Sequence, residues 1–143
     1  MEVLFLSRND SVYDEVPNLL IQLGTAAKTY DSISNQVSNQ MKNGYKIVYV
    51  KSSEGCILAA AGFVICEKLA WGKHIYIDDF ITAEQHRSRG VGTFLMNWFK
   101  SHCKEMGCKQ LHLDSNVDRF KAHTFYIRHG FHISSHHFGI EDV

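Results

Sequence analysis

The chain is 143 residues long, enough for one domain with a real core, and it contains no repeat, low-complexity stretch or linker. Apolar residues make up 45% and charged residues 21%, the balance of a soluble globular protein. The formal net charge is zero, which argues against nonspecific binding to nucleic acid or a membrane surface, and no apolar run approaches the ~18 residues of a membrane span.

The opening residues are acidic, short and interrupted at Ser7-Arg8-Asn9-Asp10, so they read as a strand over 3–7 and not as a signal peptide. Asp14 is the expected cap of a first helix, with Pro17 in its first turn and an apolar face of Val16, Leu19, Leu20 and Leu23. Gly24 is expected to end or bend it. Asp31 or Ser32 can cap a second helix carrying Ile33, Val37 and Met41, closed by Gly44. Three strands follow, over 45–50, 56–66 and 73–82, joined by turns at 52–55 and around Trp71-Gly72, which makes an antiparallel meander.

After the fourth strand comes Arg87-Ser88-Arg89-Gly90-Val91-Gly92, and then at once an amphipathic helix. Its Val91, Phe94, Leu95, Trp98, Phe99, Cys103 and Met106 fall at helical spacing and read as core. A fifth strand over 110–114, a helix over 119–129 and a last strand over 131–138 complete the order β-α-α-β-β-β-α-β-α-β. That order predicts a single mixed α/β domain, a mostly antiparallel sheet with helices on both faces.

The four cysteines, Cys56, Cys66, Cys103 and Cys108, form no Cys-x-x-Cys pair. Reduced, mostly buried thiols in a cytoplasmic protein are expected. Nine histidines are many for this length. His132, His136 and His137 match no zinc spacing, so no metal is expected and they read as edge-strand or active-site-rim residues.

A strand, a basic glycine-containing turn and a helix N-terminus aim backbone N–H groups and a positive dipole at one point, which suits a phosphate. The Walker pattern fails because Thr93 and Phe94 follow Gly92, and the dinucleotide fingerprint fails at Leu95. What remains, Arg87-x-x-Gly90-x-Gly92, resembles the acetyl-CoA pyrophosphate loop of the GCN5-related N-acetyltransferases. Ala122-x-x-Phe125-Tyr126-x-x-x-Gly130-Phe131 is similar to the family's second motif, and the element order of the whole chain fits as well. One departure is Arg119, which stands where many members carry asparagine and is left as a cofactor or substrate contact.

The resemblance implies acetyl transfer from acetyl-CoA to a primary amine, with Arg87, Ser88, Arg89, Gly90, Val91, Gly92, Thr93 and Phe125 contacting the cofactor. The backbone of Phe80, Ile81 and Thr82 would pair with the pantetheine arm, and the Ile81 N–H would polarise the acetyl carbonyl. Tyr126 would be the general acid for the departing thiolate. Tyr76-Ile77-Asp78-Asp79-Phe80 resembles the Tyr-Leu-Glu-Asp-Phe segment of the spermidine/spermine N-acetyltransferases, which makes Asp78 the stronger and Asp79 the weaker candidate base. Strand alternation would let only one of the two face a given cleft.

The acidic pair favours a small cationic amine, polyamine-like or aminoglycoside-like. The segment 25–34, with Lys28, Tyr30 and Asp31, is where the resemblance places the acceptor pocket. The last strand lines that pocket or pairs with a second subunit in a homodimer. A protein-lysine acetyltransferase and a noncatalytic acyl-CoA sensor are the alternatives. Retention of Tyr126 and Asp78 favours the enzyme.

Overall fold

The computed structural model describes residues 1–23 and 29–143. Gly24, Thr25 and Lys28, to which the sequence assigned a helix stop and part of the acceptor segment, lie outside the described residues. The described chain divides into two compact units, Met1–His112 and Leu113–Val143.

In the first unit the elements are β1 (Glu2–Phe5), α1 (Glu15–Ile21), α2 (Tyr30–Lys42), β2 (Lys46–Lys51), β3 (Ile57–Lys68), β4 (Gly72–Thr82) and α3 (Val91–Glu105). β5 (Gln110–Leu113) completes a five-stranded sheet ordered β1-β2-β3-β4-β5. β1 to β4 pair antiparallel. The mixed α/β class read from the sequence is the one observed.

Two apolar layers hold the sheet. On one face α1 and α2 bury Val16, Leu20, Ile33 and Val37 with Tyr45, Ile47 and Ala60. On the other, Phe99 of α3 meets Phe63 of β3 edge-on at 5.2 Å, a favoured aromatic geometry. The α3 face differs slightly from its sequence pattern: Met96 is fully buried, whereas Met106 at the helix end is exposed.

The helix caps differ from expectation. Asp14 holds the N-cap position of α1 but makes no cap hydrogen bond there, because its backbone is already helical. The Val12 carbonyl takes the N–H groups of Glu15 and Val16 instead. Thr29, not Asp31 or Ser32, caps α2: its backbone is extended and its Oγ1 accepts from the Ser32 N–H at 3.2 Å. The thiols also differ, since Cys103 and Cys108 are buried but Cys56 and Cys66 are exposed. Cys56 sits in the β2–β3 turn, and Cys66 lies toward the far end of β3, where the strand is exposed.

The second unit contains α4 (Phe120–Arg128) and an irregular tail. The strand expected over 131–138 does not form. Strand propensity needs a ladder and a buried face to fix register, and here Ile133 and Phe138 are both exposed around the polar run Ser134-Ser135-His136-His137.

Candidate active site

β4 carries the acidic pair at a break in register. Gly62 pairs with Asp79 and Phe63 with Ile77, so Asp78 is the additional residue of a β-bulge. A bulge disturbs the alternation that sends successive side chains to opposite faces. Asp78 lines an open groove of about 630 Å³ with α2 and Tyr45. Asp79 lines a smaller adjoining pocket against the same helix and the same tyrosine. Each cleft thus receives one of the two carboxylates, and the bulge places the two clefts side by side on the same helix and tyrosine.

Tyr45, missed in the sequence, ties this corner together. It is 5% exposed, and its hydroxyl donates to Asp79 Oδ2. Burial above all, then the charge of Asp79 and its hydrogen bond, then the charge of Asp78, push the phenol far above the ordinary tyrosine range. Tyr45 is thus a fixed neutral donor. The ring reaches Asp79 by crossing β3 over Gly62, where an added Cβ would lie 1.6 Å from the Tyr45 hydroxyl oxygen. A glycine inside an otherwise apolar strand was the available signal of that close approach.

The basic loop follows β4 through a single 3-10 turn, Glu84–His86. Ser88 and Gly90 adopt left-handed backbone, with φ of 61° and 79°. Gly90 is the N-cap of the 15-residue α3, makes no side-chain cap, and has nothing within 4 Å of an added Cβ. The helix N-terminus is therefore open to approach. Arg87 Nε donates to the Thr82 carbonyl at 3.4 Å, tethering one guanidinium to the loop, while Ser88, Arg89 and Thr93 are exposed. Val91 points into the core at 3% exposure, so only its backbone is placed to meet a ligand. These residues fit a phosphate group: a helix dipole, two guanidiniums and backbone free of Cβ crowding.

The strand leading to the loop has a defined parity. The Ala83 N–H donates to the Leu58 carbonyl at 2.9 Å, and Ile81 pairs with Ala60 on the same edge. Because antiparallel hydrogen bonding alternates by two residues, the Ile81 N–H faces β3 as well, while those of Phe80 and Thr82 face the opposite edge. Ile81 is thus turned away from the role expected of it, and its side chain is buried. Phe80 has the right parity for a carbonyl donor.

In the second unit, Tyr126 is half-buried on α4, with Phe125 and Phe131 ring centroids at 5.4 and 5.8 Å. Burial raises its phenol above the ordinary tyrosine value, and the nearby Arg119 guanidinium only partly opposes that. This gives Arg119 an electrostatic link to Tyr126. A cavity of about 480 Å³ in this unit is lined by Tyr126, His123, His132, His136, His137 and Asp114. His137 Nδ1 lies 3.1 Å from Asp114 Oδ2. Among the described residues no three His, Cys, Asp or Glu side chains come together as metal ligands.

Residues 20–131 match the family model described as "Acetyltransferase (GNAT) family". An uncharacterized N-acetyltransferase, YhdJ, of Bacillus subtilis (strain 168) is 34% identical over 68 residues, 47% of this chain and 48% of that protein. The glucosamine 6-phosphate N-acetyltransferase of Arabidopsis thaliana is 33% identical over 64 residues, 43% of each chain. The chain thus spans less than half the length of either curated relative in these matches. The crystal structure of the Arabidopsis thaliana glucosamine-6-phosphate N-acetyltransferase superposes with a TM-score of 0.75 at 22% identity, covering 99% of this chain and 98% of that one. At that identity the likeness is one of fold.

Proposed function

The chain belongs to the GNAT family of acetyltransferases, and from that premise we propose that it transfers an acetyl group from acetyl-CoA to the primary amine of a small, cationic acceptor. The observation that carries the reading is the bulge in β4, with Asp78 on the open α2 groove and Asp79 on the smaller pocket adjoining it. Adjacent carboxylates held this way attract an ammonium and can take its proton.

The chemistry balances with groups the chain supplies. The acceptor ammonium gives a proton to Asp78, directly or through water, and the neutral nitrogen attacks the acetyl carbonyl carbon. Negative charge gathers on the carbonyl oxygen, for which the Phe80 N–H is the donor of suitable parity. As the tetrahedral centre collapses, its nitrogen gives up a second proton to solvent by way of Asp78. The carbon–sulfur bond breaks, Tyr126 protonates the departing thiolate, and the phenol regains its proton from solvent. The products are the amide, free CoA and one proton released to solvent. Arg87, Arg89 and the α3 N-terminus hold the pyrophosphate of the donor. A cytoplasmic setting and assembly as a homodimer belong to the same proposal, on the free thiols and the unpaired tail.

Two measurements test the reading. Acetyl-CoA is expected to raise Tm, because a ligand specific for the folded state stabilises it by mass action. Gly90→Val forces a β-branched residue to φ 79°, a conformation costing roughly 1–2 kcal/mol, and crowds the open approach to α3. The variant should fold but lose the acetyl-CoA shift. A full shift in folded Gly90→Val would take the loop out of the donor site.

Asp78→Asn is expected to lower kcat about tenfold near neutral pH, with the deficit shrinking as pH approaches the amine's own pKa. At high pH the acceptor is already neutral, so a missing base costs less. Were Asp78 only an anchor, KM would rise and saturated turnover would hold. Unchanged kinetics at every pH in both Asp78→Asn and Asp79→Asn would remove the acidic pair from acceptor chemistry.

A further inference from the structure

We propose that Cys66 and His74 form a second reactive site, a base-assisted thiol that exchanges with low-molecular-weight disulfides and ends as a mixed disulfide on Cys66. The pair lies at the turn end of the β3–β4 hairpin, and the inference does not depend on the acetyl-transfer reading.

Cys66 and His74 are direct partners in the β3–β4 ladder, so their side chains leave the same face of the sheet. Cys66 Sγ lies 3.1 Å from His74 Nε2, and His74 Nδ1 lies 2.8 Å from the Gly72 carbonyl oxygen. A carbonyl only accepts, so Nδ1 carries the hydrogen. In the neutral ring Nε2 then holds the lone pair, and the Cys66 S–H donates to it. Nucleophile, base and a group that orients the base therefore stand in sequence.

The surroundings fix the ring and leave the sulfur approachable. His74 is fully buried, with Trp71 edge-on at 5.1 Å, and Trp71 itself stacks on His112 of β5 at 3.6 Å. Cys66 is exposed, so a reagent from solvent meets the sulfur with the base already behind it. A histidine that served packing alone would only tie up the thiol hydrogen, and Cys66 would then react more slowly than an ordinary surface thiol.

Exchange between sulfurs suits such a pair, because it develops no oxyanion and needs no placed donors of the kind acyl transfer requires. The Cys66 S–H gives its proton to Nε2, and the sulfur attacks one sulfur of the incoming disulfide. The S–S bond of the reagent breaks, and the departing thiolate takes the proton from Nε2. Cys66 is oxidised to the mixed disulfide, half of the reagent is reduced to free thiol, and nothing else is consumed.

The reaction stops there because no other cysteine of the chain reaches Cys66, and a bridge needs Cα atoms within ~7 Å. Cys56 precedes the opposite end of β3, roughly 30 Å away at ~3.3 Å per residue. Cys108 stands before β5, which β4 separates from β3, so the two are about two strand spacings apart, ~9.5 Å. Cys103 belongs to α3, on the Phe63 side of the sheet, and strand alternation turns Cys66 to the other side.

The test is exchange of the folded protein with oxidised glutathione, followed by mass spectrometry. Cys56→Ser reports on Cys66, and Cys66→Ser reports on Cys56, an exposed thiol in a turn. Cys66 is expected to gain the glutathionyl group roughly tenfold faster or more, the low end of base assistance. In guanidinium chloride the two rates should converge, because the fold no longer holds the base to the sulfur. His74→Phe keeps a ring against Trp71 without its nitrogens, and should bring Cys66 down to the Cys56 rate. A folded-state rate for Cys66 no higher than that of Cys56 overturns the proposal, as does an undiminished rate in folded His74→Phe. Should that variant fail to fold, the denaturant comparison decides: an advantage of Cys66 that survives unfolding belongs to its sequence neighbours and overturns the pairing with His74.

Discussion

Tyr126→Phe is expected to keep acetyl-CoA affinity while lowering kcat about 10²-fold, the loss typical of a missing general acid. The substitution removes one oxygen and leaves the ring against Phe125 and Phe131, so the second unit should keep its packing. Burial raises the Tyr126 phenol more than Arg119 lowers it, so the group is protonated throughout the neutral range. The sign of its pH dependence follows: the acid is present below the raised value and is lost only as pH climbs through it, above the ordinary ~10. Wild-type kcat should therefore decline on an alkaline limb that is missing from Tyr126→Phe. Arg119→Ala should move that limb further up, because a charge that lowers the phenol has been removed. Equal kcat in wild type and Tyr126→Phe would mean that the thiolate departs unaided and that the Phe-Tyr motif is structural.

The sequence made the fold legible because periodicity and punctuation agree over most of the chain. Val91, Leu95, Phe99 and Cys103 recur at helical spacing and are buried as that spacing requires. Turns at Ser52–Gly55 and before Gly72 close the meander where their residues suggest. What escaped depends on pairing between distant residues. The bulge at Asp78 is a property of β3 and β4 together, and nothing in Ile77-Asp78-Asp79-Phe80 taken alone distinguishes it from a regular strand. The parity of Ile81 follows from the same register. For the tail, strand-like composition was read as a strand, but composition supplies no ladder partner. Tyr45 escaped because an apolar ring at a strand start reads as core, which it is, and its hydroxyl finds Asp79 only 34 positions away.

Gly62→Ala is expected to damage both stability and turnover through that same tyrosine. β3 lies between β2 and β4, so its backbone cannot retreat without disturbing both ladders. The ring must move, because an added Cβ would lie 2.1 Å from Tyr45 Cζ as well as against the hydroxyl. Displacing a buried aromatic costs about 3–5 kcal/mol, equivalent to a Tm fall of roughly 10 °C in a domain of this size. Asp79 then loses its bound donor and the acidic corner loses its wall, so kcat/KM should fall by about 10²-fold if acceptor placement depends on it. Tyr45→Phe separates the two effects: it keeps the ring, gives up the hydrogen bond, and should cost only about 1–3 kcal/mol. It should also remove an alkaline stability loss. The Tyr45 phenol is raised in the folded protein, so its contribution is complete below the unfolded value near 10 and fades as pH rises beyond it. The decisive comparison is a double-mutant cycle. In a Tyr45→Ala background the space over Gly62 is empty, and Gly62→Ala should there cost less than about 1 kcal/mol. If Gly62→Ala is equally harmful with and without the Tyr45 ring, the glycine serves the β3 backbone alone, and the path from Gly62 through Tyr45 to Asp79 carries no coupling.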